Sequence, residues 1–213
     1  MFTVCNVAID WVATGTMLQG IGTIVGAFAA LWAFKTWHKQ KITEKKMNHA
    51  ERILAATYNG EQALKGVRNM FISIFEQDTA RKELKKQDDL IQPKEQLVTA
   101  YVFYGRLDST KGEREALIQC LPMAQALFSS ELEQAIKSLI EQFWEVGNAA
   151  GFYATSGDGI DDEVTREAKR KMYEGISPNK NEVTDAIKSA VKTIKNICLP
   201  VLQDNISTNP RSP

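Results

Sequence analysis

The densest cluster of side chains that could bind a metal ion is acidic and comprises Asp158, Asp161, Asp162 and Glu163. A calcium-binding loop places oxygen ligands at alternating positions and ends in a bidentate glutamate at the twelfth. The spacing here does not follow that pattern. Because acidic side chains stabilise the N-terminus of a helix, the cluster indicates the start of a helix rather than a metal site.

The histidines form no catalytic arrangement. His38 and His49 are the only two in the chain. Neither belongs to an H-E-x-x-H motif, and no serine occupies the centre of a G-x-S-x-G elbow. A di-iron bundle would need Glu-x-x-His pairs on later helices, which carry no histidine. The sequence therefore predicts that the protein is not an enzyme and has no cofactor or metal; an enzyme whose site is assembled from dispersed residues is the alternative.

Two glycine-containing segments resemble phosphate-binding loops but lack the necessary context. Gly105 and Lys111 do not have the spacing of a P-loop, and no strand precedes them. Gly20, Gly22 and Gly26 come close to G-x-G-x-x-G, with the third glycine one residue late and no strand before the first. These glycines therefore serve another purpose.

Residues 11–34 form an uncharged run bounded by Asp10 and Lys35. As a helix, the run would span about 36 Å, more than the roughly 30 Å of a bilayer core. Tryptophans lie near both of its ends, as in membrane interfaces. A cleaved signal peptide is the alternative, but the run is too long and no basic segment precedes it. The sequence predicts a transmembrane helix over 11–34.

Small residues recur along one face of this predicted helix, at spacings that alternate between four and three. Such a face lets two helix backbones approach closely, and a glutamine amide in hydrocarbon needs a partner. We therefore predict a homo-oligomer that forms through the transmembrane helix. The alternative is that small residues are simply common in membrane helices. The predicted self-association residues, named here the anchor stripe, are Gly15, Gln19, Gly22, Gly26, Ala29 and Ala33.

The juxtamembrane segment, residues 35–49, is basic. Lysines collect on the cytoplasmic side of a membrane, and each contributes about 1 kcal/mol of attraction to an anionic leaflet. The sequence therefore predicts a short extracytoplasmic N-terminus over residues 1–10 and a C-terminal body in the cytoplasm. The 26 basic and 26 acidic residues of the whole chain argue against an obligatory nucleic-acid partner. The residues expected to contact membrane lipid and fix the topology are Lys35, Trp37, His38, Lys39, Lys41, Lys45 and Lys46.

The rest of the chain is predicted to be all-α, with the transmembrane helix continuing into a cytoplasmic bundle of five or six helices over 50–203 and a disordered tail over 204–213. Apolar residues recur at helical spacing, and no segment alternates with a period of two. The first stripe predicts one long helix, and the charged residues 76–96 predict a solvated connection. The stripe comprises Ala50, Ile53, Thr57, Gly60, Leu64, Val67, Phe71 and Ile74.

Local signals place the later helices. Pro93 opens a second helix, which ends in a turn at 108–112. Pro122 should kink or divide a third. Ser130 and Glu133 predict a capping box that opens a fourth, with an apolar face from Leu132 to Val146. A short helix near 161–174 and a last helix over 181–203 complete the prediction.

Three segments carry a resemblance to known proteins: A-L-W-A-F-K-T-W-H-K-Q-K, A-E-R-I-L-A-A-T-Y-N-G-E-Q-A-L-K-G-V-R-N and I-K-S-A-V-K-T-I-K-N-I-C-L-P-V-L. They resemble small bacterial single-pass membrane-anchored helical proteins. The layout is similar to that of membrane effectors of antiviral defence systems of the retron and abortive-infection type. The resemblance implies a location in the bacterial inner membrane and a role in defence.

Two functions follow as hypotheses. In the first, the protein is a non-enzymatic membrane effector that self-associates through its anchor and perturbs the inner membrane once a cytoplasmic protein partner releases it. In the second, it is a membrane-tethered adaptor whose helical bundle docks a partner protein. Both need a helical body with a surface for a partner.

Overall fold

The computed structural model describes residues 11–87, 93–156, 163–175 and 181–208; the side chains of residues 11–22, 24, 87 and 204–208 lie outside that description. All regular structure in these ranges is α-helical, which confirms the predicted all-α class. The chain divides into two compact units, residues 1–45 and residues 46–213. The helices are α1 (Trp11–Val67), α2 (Ile74–Gln87), α3 (Glu95–Ser109), α4 (Lys111–Leu127), α5 (Ser130–Thr155), α6 (Glu163–Met172) and α7 (Glu182–Thr208).

Helix α1 is 57 residues long and has no break where the predicted transmembrane segment meets the juxtamembrane segment. Within the part of the chain that the structure describes, no helix combines the length and the apolar character needed to cross a membrane. Of the predicted transmembrane segment 11–34, the side chains of residues 11–22 and 24 lie outside that part.

The core of residues 46–213 is built around α5, which packs against α3, α4, α6 and α7. Its buried face is the one that the apolar periodicity predicts. The C-terminal part of α1 adds Ile53, Leu64 and Val67 to the same core. The predicted face of α5 is confirmed at Leu132, Ile136, Leu139, Ile140, Phe143 and Val146, all of which are buried.

A glycine lets α4 approach α1 closely. A Cβ atom added to Gly60 would lie 2.8 Å from Cδ1 of Leu117, whose side chain is fully buried. Real Cβ atoms do not come this close to another heavy atom, so an alanine would displace Leu117. Glycine destabilises a helix by about 1 kcal/mol relative to alanine. At position 60, however, it leaves the space that the side chain of Leu117 occupies.

Helix α1 ends at Val67, so the prediction that its apolar stripe continues through Phe71 and Ile74 is wrong. Both side chains are exposed. The chain turns immediately after α1, where the side-chain oxygen of Asn69 accepts a hydrogen bond of 2.9 Å from the backbone N–H of Phe71. The interior instead receives Arg68, which is only 1 % exposed.

Three other local predictions are corrected. Helix α2 occupies much of the predicted solvated connection at 76–96. Helix α4 contains Pro122 and runs on past it, so of the two predicted effects, a kink or a division, the division is wrong. Proline removes the N–H that would bond the carbonyl of Ile118, and the exposure of Ile118 leaves that carbonyl close to water. Helix α5 is capped by Ser129 and not by Ser130. The side-chain oxygen of Ser129 accepts a hydrogen bond of 3.2 Å from the backbone N–H of Leu132.

Candidate functional site

The anchor stripe is described only in part. The predicted positions Gly15, Gln19 and Gly22 lie outside the residues whose side chains the structure describes. Gly26, Ala29 and Ala33 are exposed, and a Cβ atom added to Gly26 would meet no atom within 4 Å. This half of the stripe is open to contact with another molecule.

The neighbouring faces of α1 also expose large apolar side chains. These side chains occupy about two-thirds of the helix circumference, because at 3.6 residues per turn their positions point in directions spread over about 240°. The remaining third carries the exposed Gly26, Ala29 and Ala33. A helix that is apolar on every face is normally buried in protein or in lipid. The exposed residues are Val25, Phe28, Leu31, Trp32, Phe34 and Trp37.

The juxtamembrane residues are solvent-exposed, apart from Lys46, Met47 and His49, which are half-buried. The ring of Phe34 lies 6.1 Å from the ring of Trp37 and 6.2 Å from that of His38. Lys41 forms an exposed ion pair of 2.7 Å with Glu44. The aromatic rings and the lysines are therefore presented together on one stretch of helix.

A second exposed apolar surface lies where α1 is joined to α2. Phe71 is 74 % exposed, Ile74 79 % and Phe75 80 %, and Met70 is exposed beside them. We call these four residues the junction surface. Scattered exposed apolar residues are normal on proteins, but a concentration of large ones within residues 70–75 is typical of an interaction site.

Arg106 of α3 holds the backbone beneath the junction surface. Its Nη1 donates to the carbonyl oxygens of Val67 at 3.2 Å and Asn69 at 2.8 Å, and its Nη2 donates to that of Phe71 at 2.7 Å. Its remaining donors meet the carboxylate of Glu76, from Nε at 2.7 Å and from Nη2 at 3.1 Å. All five N–H groups of the guanidinium thus have partners within the chain.

Glu76 joins the start of α2 to this arrangement. Its carboxylate accepts hydrogen bonds from the backbone N–H of Ser73 at 2.8 Å and from the Ser73 hydroxyl at 3.0 Å. In return, the Ser73 oxygen accepts from the N–H of Glu76 at 3.2 Å, which completes a capping box. Hydrogen bonding by Arg106 lowers the pKa of Glu76 to about 2, and the bonds from Ser73 act in the same direction.

Arg68 fixes the other side of the same turn. Its guanidinium donates to the carbonyl oxygens of Lys171 at 3.0 Å and Tyr173 at 3.1 Å, at the C-terminal end of α6, where the helix dipole favours a positive charge. It also donates to the side chains of Thr184 at 2.9 Å and Asn181 at 3.0 Å at the start of α7. Burial lowers the pKa of Arg68. Two arginines therefore hold the backbone from which the junction surface projects.

A groove between α2 and α3 opens next to the junction surface and has a volume of about 540 Å³. Phe75, at the edge of the junction surface, is also part of its lining, and Glu76 and Arg106 lie in its wall. We call it the α2–α3 groove. Its lining comprises Phe75, Glu76, Thr79, Ala80, Glu83, Tyr101, Val102, Tyr104, Gly105, Arg106, Asp108 and Ser109.

The histidine, cysteine and acidic residues that could bind a metal ion form no site within the described part of the chain. Within the described ranges, no three histidine, cysteine or acidic side chains are placed to hold a metal ion. Asp158, Asp161 and Asp162 lie outside those ranges, and Glu163 begins α6, where it pairs with Arg170 at 2.5 Å. Burial raises the pKa of the Cys198 thiol to about 11 and also raises that of Cys120, which fits a packing role for both.

The junction surface and the residues that hold it were missed by sequence reasoning. One signal was available: Ser73 and Glu76 have the S-x-x-E spacing of a capping box, which marks the start of α2. Nothing in the sequence links Arg106 to backbone more than thirty residues earlier. Comparisons with protein-family models, with curated proteins and with solved structures give no match.

Proposed function

We propose that the protein is a non-enzymatic, membrane-tethered adaptor whose helical body docks a partner protein. The observation that carries the proposal is the junction surface, where Phe71, Ile74 and Phe75 are exposed on a backbone fixed by Arg106. Binding through a backbone that is already ordered loses less conformational entropy than binding through a loop that must be fixed first. Large aromatic and aliphatic side chains are also the residues that dominate binding energy at interfaces.

The N-terminal part of α1 supports the membrane tether in this proposal. Its exposed Phe28, Leu31, Trp32 and Phe34 need an apolar environment, and the uncharged run extends to both sides of them along 11–34. The exposed lysines from Lys35 to Lys46 fit an anionic cytoplasmic leaflet. In this proposal, the body lies in the cytoplasm of a bacterial cell, at the inner membrane.

The experiment places a photo-crosslinking amino acid at position 71 of the full chain, expressed in its native host. The matched control places it at Phe152 of α5, an aromatic residue of similar exposure. We expect one discrete adduct from position 71, lost when Ile74→Ser is added, and no such adduct from position 152. Equal adducts from both positions, or no adduct from position 71, would refute docking through this surface.

The effector function is a second candidate, supported by the exposure of Gly26, Ala29 and Ala33 on α1. In this proposal, release of the body from its partner lets the anchors associate and perturb the inner membrane, as in a defence system of the abortive-infection type. Both functions share the tether and the partner. They differ in whether the anchor itself acts on the membrane.

A further inference from the structure

We propose that the α2–α3 groove binds an amphipathic helix of the partner protein, with an apolar face flanked by lysine or arginine side chains. This inference rests on the proposed docking function and adds the chemistry of the partner. It is argued from the shape of the groove, its lining and its charge.

The shape of the groove suits a helix. Phe75, Thr79 and Glu83 follow one another at intervals of four along α2 and form one wall. Tyr101, Tyr104 and Asp108 form the other wall on α3 at helical spacing. The groove therefore runs along both helices for about two turns, roughly 12 Å. A groove between two packed helices accepts the apolar stripe of a third.

The middle of the groove is apolar. Ala80 and Val102 are buried at its base, whereas Phe75 and Tyr104 are exposed at its edges. Covering Phe75 and Tyr104 with an apolar helix face would remove aromatic surface from water, which is the main favourable contribution to association.

Acidic side chains lie at both ends of the groove. The ion pairs Arg106–Glu76 and Arg81–Glu95 show that α2 and α3 run in opposite directions, so Glu83 lies towards one end and Asp108 towards the other. Arg106 does not offset their charge for a ligand, because its own positive charge is balanced by the carboxylate of Glu76, 2.7 Å from its Nε. The exposed pair between Glu83 and Lys86, at 2.6 Å, is of a kind that contributes little and can be exchanged for a cation of the partner.

Gly105 allows the groove to be filled without disturbing the fold. It lies in the lining, and a Cβ atom added to it meets nothing within 4 Å. Replacing a helical glycine by leucine also favours the helix, because leucine has the higher helix propensity. Gly112 of α4 has the same open surroundings but does not line the groove, which makes Gly112→Leu a matched control.

The test uses the full chain in zwitterionic nanodiscs, with empty nanodiscs as the blank. The probe is a fluorescent amphipathic helical peptide of leucine and lysine, roughly 18 residues long, with a benzophenone on its apolar face. A second peptide carries glutamate in place of lysine. We expect saturable binding of the lysine peptide and cross-links within residues 75–83 and 101–109. Gly105→Leu should weaken binding about tenfold or more, and Gly112→Leu should leave it unchanged.

The proposal is overturned if Gly105→Leu binds the lysine peptide like the wild type, if the cross-links map elsewhere, or if the glutamate peptide binds equally well. Circular dichroism and thermal melting verify folding, and Thr79→Trp fills the groove from the opposite wall if Gly105→Leu does not fold. A failure here together with a discrete adduct from position 71 would mean that the body docks a partner of different chemistry. A failure of both experiments would refute docking itself.

Discussion

Arg106 and Glu76 join three segments of the chain: the end of α1, the turn after it and the start of α2. Arg106 is 13 % exposed and Glu76 32 %, so water screens their ion pair only in part. A planar guanidinium satisfies two carboxylate oxygens and three carbonyl oxygens at once, which a lysine could not do. The exposure of Phe71 is therefore a property of an ordered backbone, not of a frayed helix end.

The lowered pKa of Glu76 predicts a pH dependence of stability. Its carboxyl is held near a pKa of about 2 in the folded chain, below its ordinary value of 4.5. The stabilising contribution is thus complete above about 4.5 and is lost as the pH falls towards about 2. Glu76→Gln should lower the free energy of unfolding by about 1.5–3 kcal/mol at neutral pH, and the difference from the wild type should shrink as the pH falls through that window.

Urea unfolding of the full chain, followed by circular dichroism between pH 2 and 7, measures this difference. Glu83→Gln is the matched control, because the pair of Glu83 with Lys86 is exposed and should contribute little. A difference between wild type and Glu76→Gln that stays constant over the whole pH range would contradict the assignment to ionised Glu76.

At the level of single residues, the sequence indicated the capping box of Ser73 and Glu76, but it did not indicate that Arg106 bonds to Glu76. A capping box is a local pattern, and its spacing alone identifies it. The bonds from Arg106 to Val67 and Phe71 depend on how α3 packs beside α1 and α2. The burial of Arg68 likewise depends on α6 and α7 supplying carbonyl and side-chain oxygens, which no periodicity indicates.

At the level of helices, periodicity predicted α5 and α7 well because both bury a continuous apolar stripe. It extended α1 too far, since Phe71 and Ile74 continue the spacing of the stripe although the helix has already ended. The spacing of apolar residues does not distinguish a side chain that packs in the core from one that stays exposed on the surface. Two large apolar side chains beyond a predicted helix end are thus a signal for an interface as much as for a core.

The anchor stripe carries a prediction at this same scale. Replacing small residues by isoleucine on the stripe prevents close approach of two helices, so Gly22→Ile/Gly26→Ile should lower self-association of the full chain at least several-fold in an inner-membrane dimerisation reporter. Gly20→Ile/Ala27→Ile, on a different face of the same helix, should leave the signal unchanged. Equal signals from both pairs would show that the anchor stripe does not mediate self-association, which would also weaken the case for the effector function.

At the scale of the whole molecule, the two compact units have different surfaces. Residues 46–213 bury a large core and a smaller apolar cluster between α2 and α3. The described side chains of residues 23–45, by contrast, are exposed, including the large apolar ones. The all-α class and most of the core could be predicted from composition and spacing. The proposed docking site could not be predicted, because an exposed surface has no periodicity of its own and is defined only by what the fold leaves uncovered.

The central claim is that α1 tethers the helical body to a membrane, and alkaline carbonate extraction of membranes from cells expressing the full chain tests it most directly. The wild type should remain in the membrane pellet, as should Ile42→Lys, which lies outside residues 11–34. Val25→Lys/Phe28→Lys should move to the supernatant, because each lysine at the centre of a membrane helix costs about 2.5–3.5 kcal/mol. Recovery of the wild-type chain in the supernatant alongside the double variant would contradict the tether.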